Sequence, residues 1–91
     1  MAGILLVDGE NLTGDSRYWE NPDPSIRPVV EFKSCIVVSG KWRLWQTENY
    51  EGTQVNNNLV LEHDGGPNDD GVYPTIVTGG NKTGSLELIE E

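Results

Sequence analysis

The 91-residue chain holds one imidazole, His63, and one thiol, Cys35, and their surroundings decide whether either can do chemistry. His63 lies in the segment LEHDGGPNDDGVYP, residues 61–74, between Glu62 and Asp64. A general base has to be held in a fixed geometry. A stretch of glycines, acidic residues and prolines buries no apolar area, and it predicts an exposed, mobile loop instead of a scaffold. Cys35 opens the apolar run CIVV, which predicts a buried and inert thiol, and no second histidine is present to activate it. One His and one Cys do not supply the three or four ligands that zinc requires. TGGNKTG, residues 78–84, has the composition of a phosphate loop without its GxxxxGK[ST] spacing, and Asp64, Asn68 and Asp70 do not fit an EF-hand loop. The residue types thus predict a protein that is not an enzyme.

Charge restricts the partners. Fifteen Asp and Glu against six Lys and Arg give a net charge of −9, which repels phosphate backbones and predicts no nucleic-acid role. The same charge suits docking on a basic protein surface. The opening MAGILLVDGE has no basic region and only a short apolar run, so it reads as a first strand, with no secretory signal and no membrane span. A single cysteine makes no internal disulfide and agrees with a reducing compartment. A cytoplasmic protein, or one held within an assembly, is the expectation. The sequons at Asn11 and Asn81 are then expected to stay unmodified.

The elements that position these residues are read from periodicity. No window sustains a 3.6-residue apolar repeat, whereas short β-branched and aromatic runs recur between turn residues, so the chain reads as one all-β domain. Strands are predicted over residues 3–7, 15–20, 29–39, 41–46, 53–62, 72–77 and 85–90. Between them lie turn-rich segments such as ENPDPSIRP, HDGGPNDDG and TGGNKTG, and the prolines all fall in or beside such segments.

The stretch WRLWQTENYEG repeats the start of the chain. VDGENLTG aligned with WQTENYEG sets Val7 over Trp45, Leu12 over Tyr50 and Gly14 over Gly52, each at an offset of 38. A large apolar residue, a second five residues on, and a glycine two further suit a folded-over hairpin. The second side chain tucks back on the first, and the glycine adopts a positive φ that a side chain would oppose. Trp45 and Tyr50 are then predicted to clamp a structural corner, in preference to forming an aromatic ligand box.

This aromatic-x4-aromatic-x-Gly hairpin, preceded by SGKW and followed by TGSLELI, resembles the βγ-crystallin Greek-key motif. The resemblance covers nearly the whole chain and implies a β-sandwich of two Greek keys, one over about residues 1–39 and one over about 40–91. It assigns Ser34 and Ser85 as the hydroxyls that fasten the two hairpins. Gly14 to Ser34 spans 20 positions and Gly52 to Ser85 spans 33, which places an acidic loop insertion at about residues 62–71.

The resemblance also implies calcium, bound in many members by an N/D-N/D-x-x-S/T-S loop in each motif. Here the loops read VVEFKS, residues 29–34, and GNKTGS, residues 80–85. Two valines and Lys33 replace donors in the first, and Gly84 replaces the hydroxyl in the second. Asn81 remains as a side-chain ligand, with the backbone carbonyls near Lys82 and Asp8 as the other metal donors. The expectation is a non-enzymatic structural or binding module that docks on a protein partner or larger assembly, with degenerate calcium sites, no cofactor and a possible homo-oligomer. The alternative is a weakly calcium-binding, stress-related domain.

Overall fold

A computed structural model describes residues 2–55, 60–76 and 82–91 of the chain. Within them run strands β1 (Gly3–Val7), β2 (Ser16–Trp19), β3 (Val30–Glu31), β4 (Ser34–Ser39), β5 (Lys41–Trp45), β6 (Leu61–Glu62), β7 (Val72–Tyr73), β8 (Lys82–Thr83) and β9 (Ser85–Glu90). Two short 3-10 turns, Glu10–Leu12 and Glu48–Tyr50, follow β1 and β5. The fold is an all-β sandwich of Greek-key topology.

Three strand expectations change. Residues 29–39 do not form one strand but two, β3 and β4, in different sheets, because the chain turns a corner at Phe32 and Lys33 to bury the Phe32 ring. The stretch 53–62 contributes only an isolated bridge from Gln54 to Trp45 and the short β6, with residues 56–59 outside those described. Strand 72–77 shortens to β7, and Val77 also lies outside the described residues.

The sheets are built by exchange. One is ordered β2-β1-β4-β7 and the other β6-β5-β9, with β3 and β8 paired as a small third ladder. β7, from the C-terminal half, thus completes the sheet of the N-terminal half, pairing Cys35 with Tyr73 and Ile36 with Val72. In return Asp23, from the N-terminal half, bridges Leu86 on β9. The inward faces enclose one core in which Ile4, Phe32, Trp42, Leu44 and Leu86 are fully buried. Each such side chain contributes on the order of 1.5–3 kcal/mol by its removal from water.

The acidic loop is exposed, as its composition predicts, but its backbone is tied instead of loose. Gly71 N–H donates to Gly65 at 2.9 Å, Asp69 N–H to Gly66 at 3.2 Å and Val72 N–H to the Asp70 carboxylate at 3.0 Å. Gly71 carbonyl also accepts from Val37 N–H at 2.8 Å, which stitches the loop to β4.

Candidate functional site

The 38-residue repeat is visible in the backbone angles. Asn11, Leu12 and Gly14 have φ of 55°, 62° and 98°, and Asn49, Tyr50 and Gly52 have 60°, 58° and 84°. Both hairpins therefore fold over through three left-handed residues each, of which the sequence reading gave only the glycines. The asparagines were the available signal, because Asn is the non-Gly residue best suited to this region.

What holds each corner is a buried serine. Ser34 Oγ accepts from Leu12 N–H at 2.9 Å and donates to Gly9 carbonyl at 2.5 Å. Ser85 Oγ accepts from Tyr50 N–H at 3.1 Å and donates to Thr47 carbonyl at 2.7 Å. Both serines are fully buried, and each ties a left-handed residue that could not otherwise join a ladder. Trp45 adds a polar tie at this corner, its indole N–H donating to Glu87 Oε1 at 3.1 Å. The fastening seen at the second corner is thus polar. Burial first, then the carboxylates of Glu87 and Asp23, push the Tyr50 phenol above its ordinary pKa.

A further layer of the repeat escaped the sequence reading. Asn11 N–H donates to Pro74 carbonyl at 2.9 Å, and Asn49 N–H to Pro24 carbonyl at 2.8 Å. Ile76 N–H donates to Lys33 carbonyl at 3.0 Å, and Ile26 N–H to Gly84 carbonyl at 2.9 Å. The signal was present as PSI at residues 24–26 and PTI at 74–76. These segments latch each corner to the opposite half.

The loops where a calcium ion would be held flank these latches. Lys33 and Gly84 are equivalent: Lys33 N–H donates to Val7 carbonyl at 2.9 Å and Gly84 N–H to Trp45 carbonyl at 2.8 Å. A side-chain oxygen is needed at these positions, but Lys33 presents a cation. At Gly84 even a Cβ would meet Gln46 carbonyl at 2.7 Å and the Thr47 backbone at 3.0 Å. Asp8 spends a carboxylate oxygen on Asp15 N–H at 2.9 Å, fastening the first hairpin. Lys82 pairs with Glu31 in the β3–β8 ladder, and Asn81 lies outside the described residues. Among the described residues no three His, Cys, Asp or Glu side chains come together as metal ligands.

Beside β8 a shallow cleft of about 590 Å³ is lined by Pro28, Val29, Glu31, Gln46, Thr47 and Lys82. It gathers an amide, a hydroxyl and one charge of each sign without a nucleophile and base in contact. Cys35, the sole thiol, faces the core, where burial pushes its pKa up to about 12. His63 is exposed in the acidic loop, its N–H bound to Gly40 carbonyl at 3.1 Å through the backbone. Among the described residues no helix is long and apolar enough to cross a membrane.

Folded corners with buried serine locks, a twofold internal repeat and exchanged third strands define a two-motif Greek-key domain. Among solved structures the chain is similar to the fifth crystallin domain of the non-lens protein Absent in melanoma 1, with a TM-score of 0.77 and 28% identity over 97% of this chain and 87% of that one. It is similar to a βγ-crystallin from an archaeon, with a TM-score of 0.71 and 22% identity over 97% and 98% of the two chains. Geodin, a βγ-crystallin from Geodia cydonium, gives 0.67 and 21% over 94% of this chain and 48% of that one. No family model matches the sequence, and no curated protein does. The chain has the fold of these βγ-crystallin domains.

Proposed function

We propose that this domain is a non-enzymatic module that docks on a protein partner or larger assembly and does so without calcium. The observation that carries the reading is the pair of equivalent positions Lys33 and Gly84. One places an ammonium where a donor oxygen belongs, and the other has no room for a side chain against the Gln46 carbonyl. A site stripped of these donors and left with Asn81 and the backbone carbonyls of Lys82 and Asp8 loses orders of magnitude in affinity. The net charge of −9 then serves docking, because it steers the domain toward basic surfaces and away from phosphate and anionic lipid.

Calcium titration tests this. A Kd above the ligand concentration contributes less than about 0.4 kcal/mol by linkage, so 1 mM calcium should move the thermal midpoint by no more than roughly 3 °C. Calorimetry in about 0.15 M salt removes diffuse attraction to the acidic surface. A micromolar affinity, or two equivalent sites, would overturn the reading. One weak event abolished by Asn81→Ala would instead establish the stress-related, weakly calcium-binding domain.

A further inference from the structure

The two halves differ at one position that the repeat makes equivalent. In the second half Val55 N–H donates to Leu44 carbonyl at 2.8 Å, and the Val55 side chain, 1% exposed, is part of the core with Leu44. At the same offset of 38, the first half sets Arg17 on β2 opposite Leu6 on β1. A guanidinium cannot be buried there without a partner. Arg17 instead stands exposed and lays its charged group over the Trp19 ring, 4.7 Å from the centroid, one step along the same face of β2.

The place that Val55 plugs in one half is therefore open in the other. A notch of about 140 Å³ lies there, lined by Leu6, Val30, Asp8, Asp15, Ser16 and Arg17. Leu6 is in the core and Val30 packs against it, so the floor is apolar. Space of about 150 Å³ in an apolar site accepts a benzene-sized group, which is room enough for an aliphatic side chain. The rim at the start of β2 is acidic. Asp8 and Asp15 are both exposed, Asp15 N–H donates to Asp8 Oδ1 at 2.9 Å, and among the described residues neither carboxylate is in an ion pair.

We propose that the notch receives one aliphatic side chain carried on a basic segment of the protein partner, a proposal that rests on reading the domain as a docking module. The repeat names the apolar half of that ligand, because an aliphatic side chain already fills the equivalent place at Val55. The rim names the basic half. A Lys or Arg beside the inserted side chain meets two carboxylates without ion pairs, and the net charge of −9 draws it there. One side chain in an open notch binds weakly, with a Kd on the order of 1 mM for an isolated peptide.

Amide chemical shifts of the isotope-labelled full chain, titrated with end-blocked tripeptides to about 10 mM in about 0.15 M NaCl without calcium, test it. Lys-Leu-Lys should shift Leu6, Ser16, Arg17 and Val30 and leave Glu90, on the other sheet, unmoved. Lys-Ala-Lys should bind at least about tenfold more weakly, since each buried methylene is worth roughly fourfold in affinity. Arg17→Val, which copies the second half, should close the notch and abolish the response with circular dichroism unchanged. Asp15→Asn, at a residue whose ties to Asp8 run through its own backbone, should weaken Lys-Leu-Lys by roughly two- to fivefold. No shift at these four amides, or a response that survives Arg17→Val, overturns the proposal. Equal binding of Lys-Leu-Lys and Lys-Ala-Lys also overturns it and leaves docking on basic surfaces standing. Glu-Leu-Glu binding as well as Lys-Leu-Lys overturns both readings, since charge would then select nothing. A response to Lys-Leu-Lys that appears only with calcium upholds the notch and overturns the calcium-independent reading.

Discussion

Replacing Ser34 or Ser85 with alanine removes one oxygen and two hydrogen bonds, with negligible change in core volume. Each bond is worth about 1 kcal/mol net, and each buried group left without a partner costs about 1–3 kcal/mol more. Gly9, Leu12 and Tyr50 are half-buried, so water recovers part of that penalty, and a loss of about 2–3 kcal/mol per substitution follows. The two losses should be similar, since each serine accepts from one corner N–H and donates to one corner carbonyl. A domain of this size has roughly 5–14 kcal/mol in total, so each loss is a substantial fraction. The thermal midpoint should fall by roughly 10–20 °C. Urea unfolding measures the free energy, and amide exchange at Leu12 and Tyr50 reports whether the corner itself has opened. Ser16→Ala, at an exposed position, is the control and should stay within about 0.5 kcal/mol of the parent. If either buried-serine variant unfolds at the same urea concentration as that control, with its corner amide still protected, the lock is not what holds the hairpin.

The hairpin glycines should be ranked by what lies beside them. Gly14→Ala should destabilise more than Gly52→Ala, by calorimetry, because a Cβ at Gly14 would clash with Asp8 Oδ1, which accepts from Asp15 N–H, whereas at Gly52 it meets Thr47 Oγ1 at 2.8 Å. Both add left-handed strain of about 1 kcal/mol or more. Cys35 should resist a thiol reagent at pH 8 in the folded domain and react promptly in urea, and rapid native labelling would show that the core opens there. Its pKa is raised from 9.0 to about 12, so the folded state holds the proton longer than the unfolded one. Stability from this group is intact below about pH 9 and is lost as pH rises toward about 12, at up to about 1.4 kcal/mol per unit. Cys35→Ala should flatten that slope.

The repeat was legible because both corners need the same unusual backbone, and few residues satisfy it: Gly14 and Gly52 stand 38 apart, and so do Asn11 and Asn49. The serines were legible through family resemblance, since a lone Ser in SCIVV or SLELI carries no local mark of what it fastens. The break between β3 and β4 was not, because Phe32 and Lys33 are not turn residues and the corner is forced by burial of the ring. Nor was the membership of β7, whose two residues have no local preference for β4 over β5. The calcium loops could be judged from residue types alone at Lys33. At Gly84 it took the nearby Gln46 carbonyl to show that the missing side chain has no space.

The contacts that cross between the halves have a consequence for how the chain must fold. Without Val72 and Tyr73, the sheet of residues 3–39 would leave Cys35 and Ile36 on an open edge, and without Asp23 and the latch from Ile26, β9 would lose partners of its own. A half-chain alone therefore leaves strand edges and latch partners unmet. The chain assembles slowly, because the contacts that join its halves link residues 25 to 63 apart and loop closure must precede their reward. It is also a unit: severed at Gly40, the two pieces should recombine only together, and neither should refold while the other is absent.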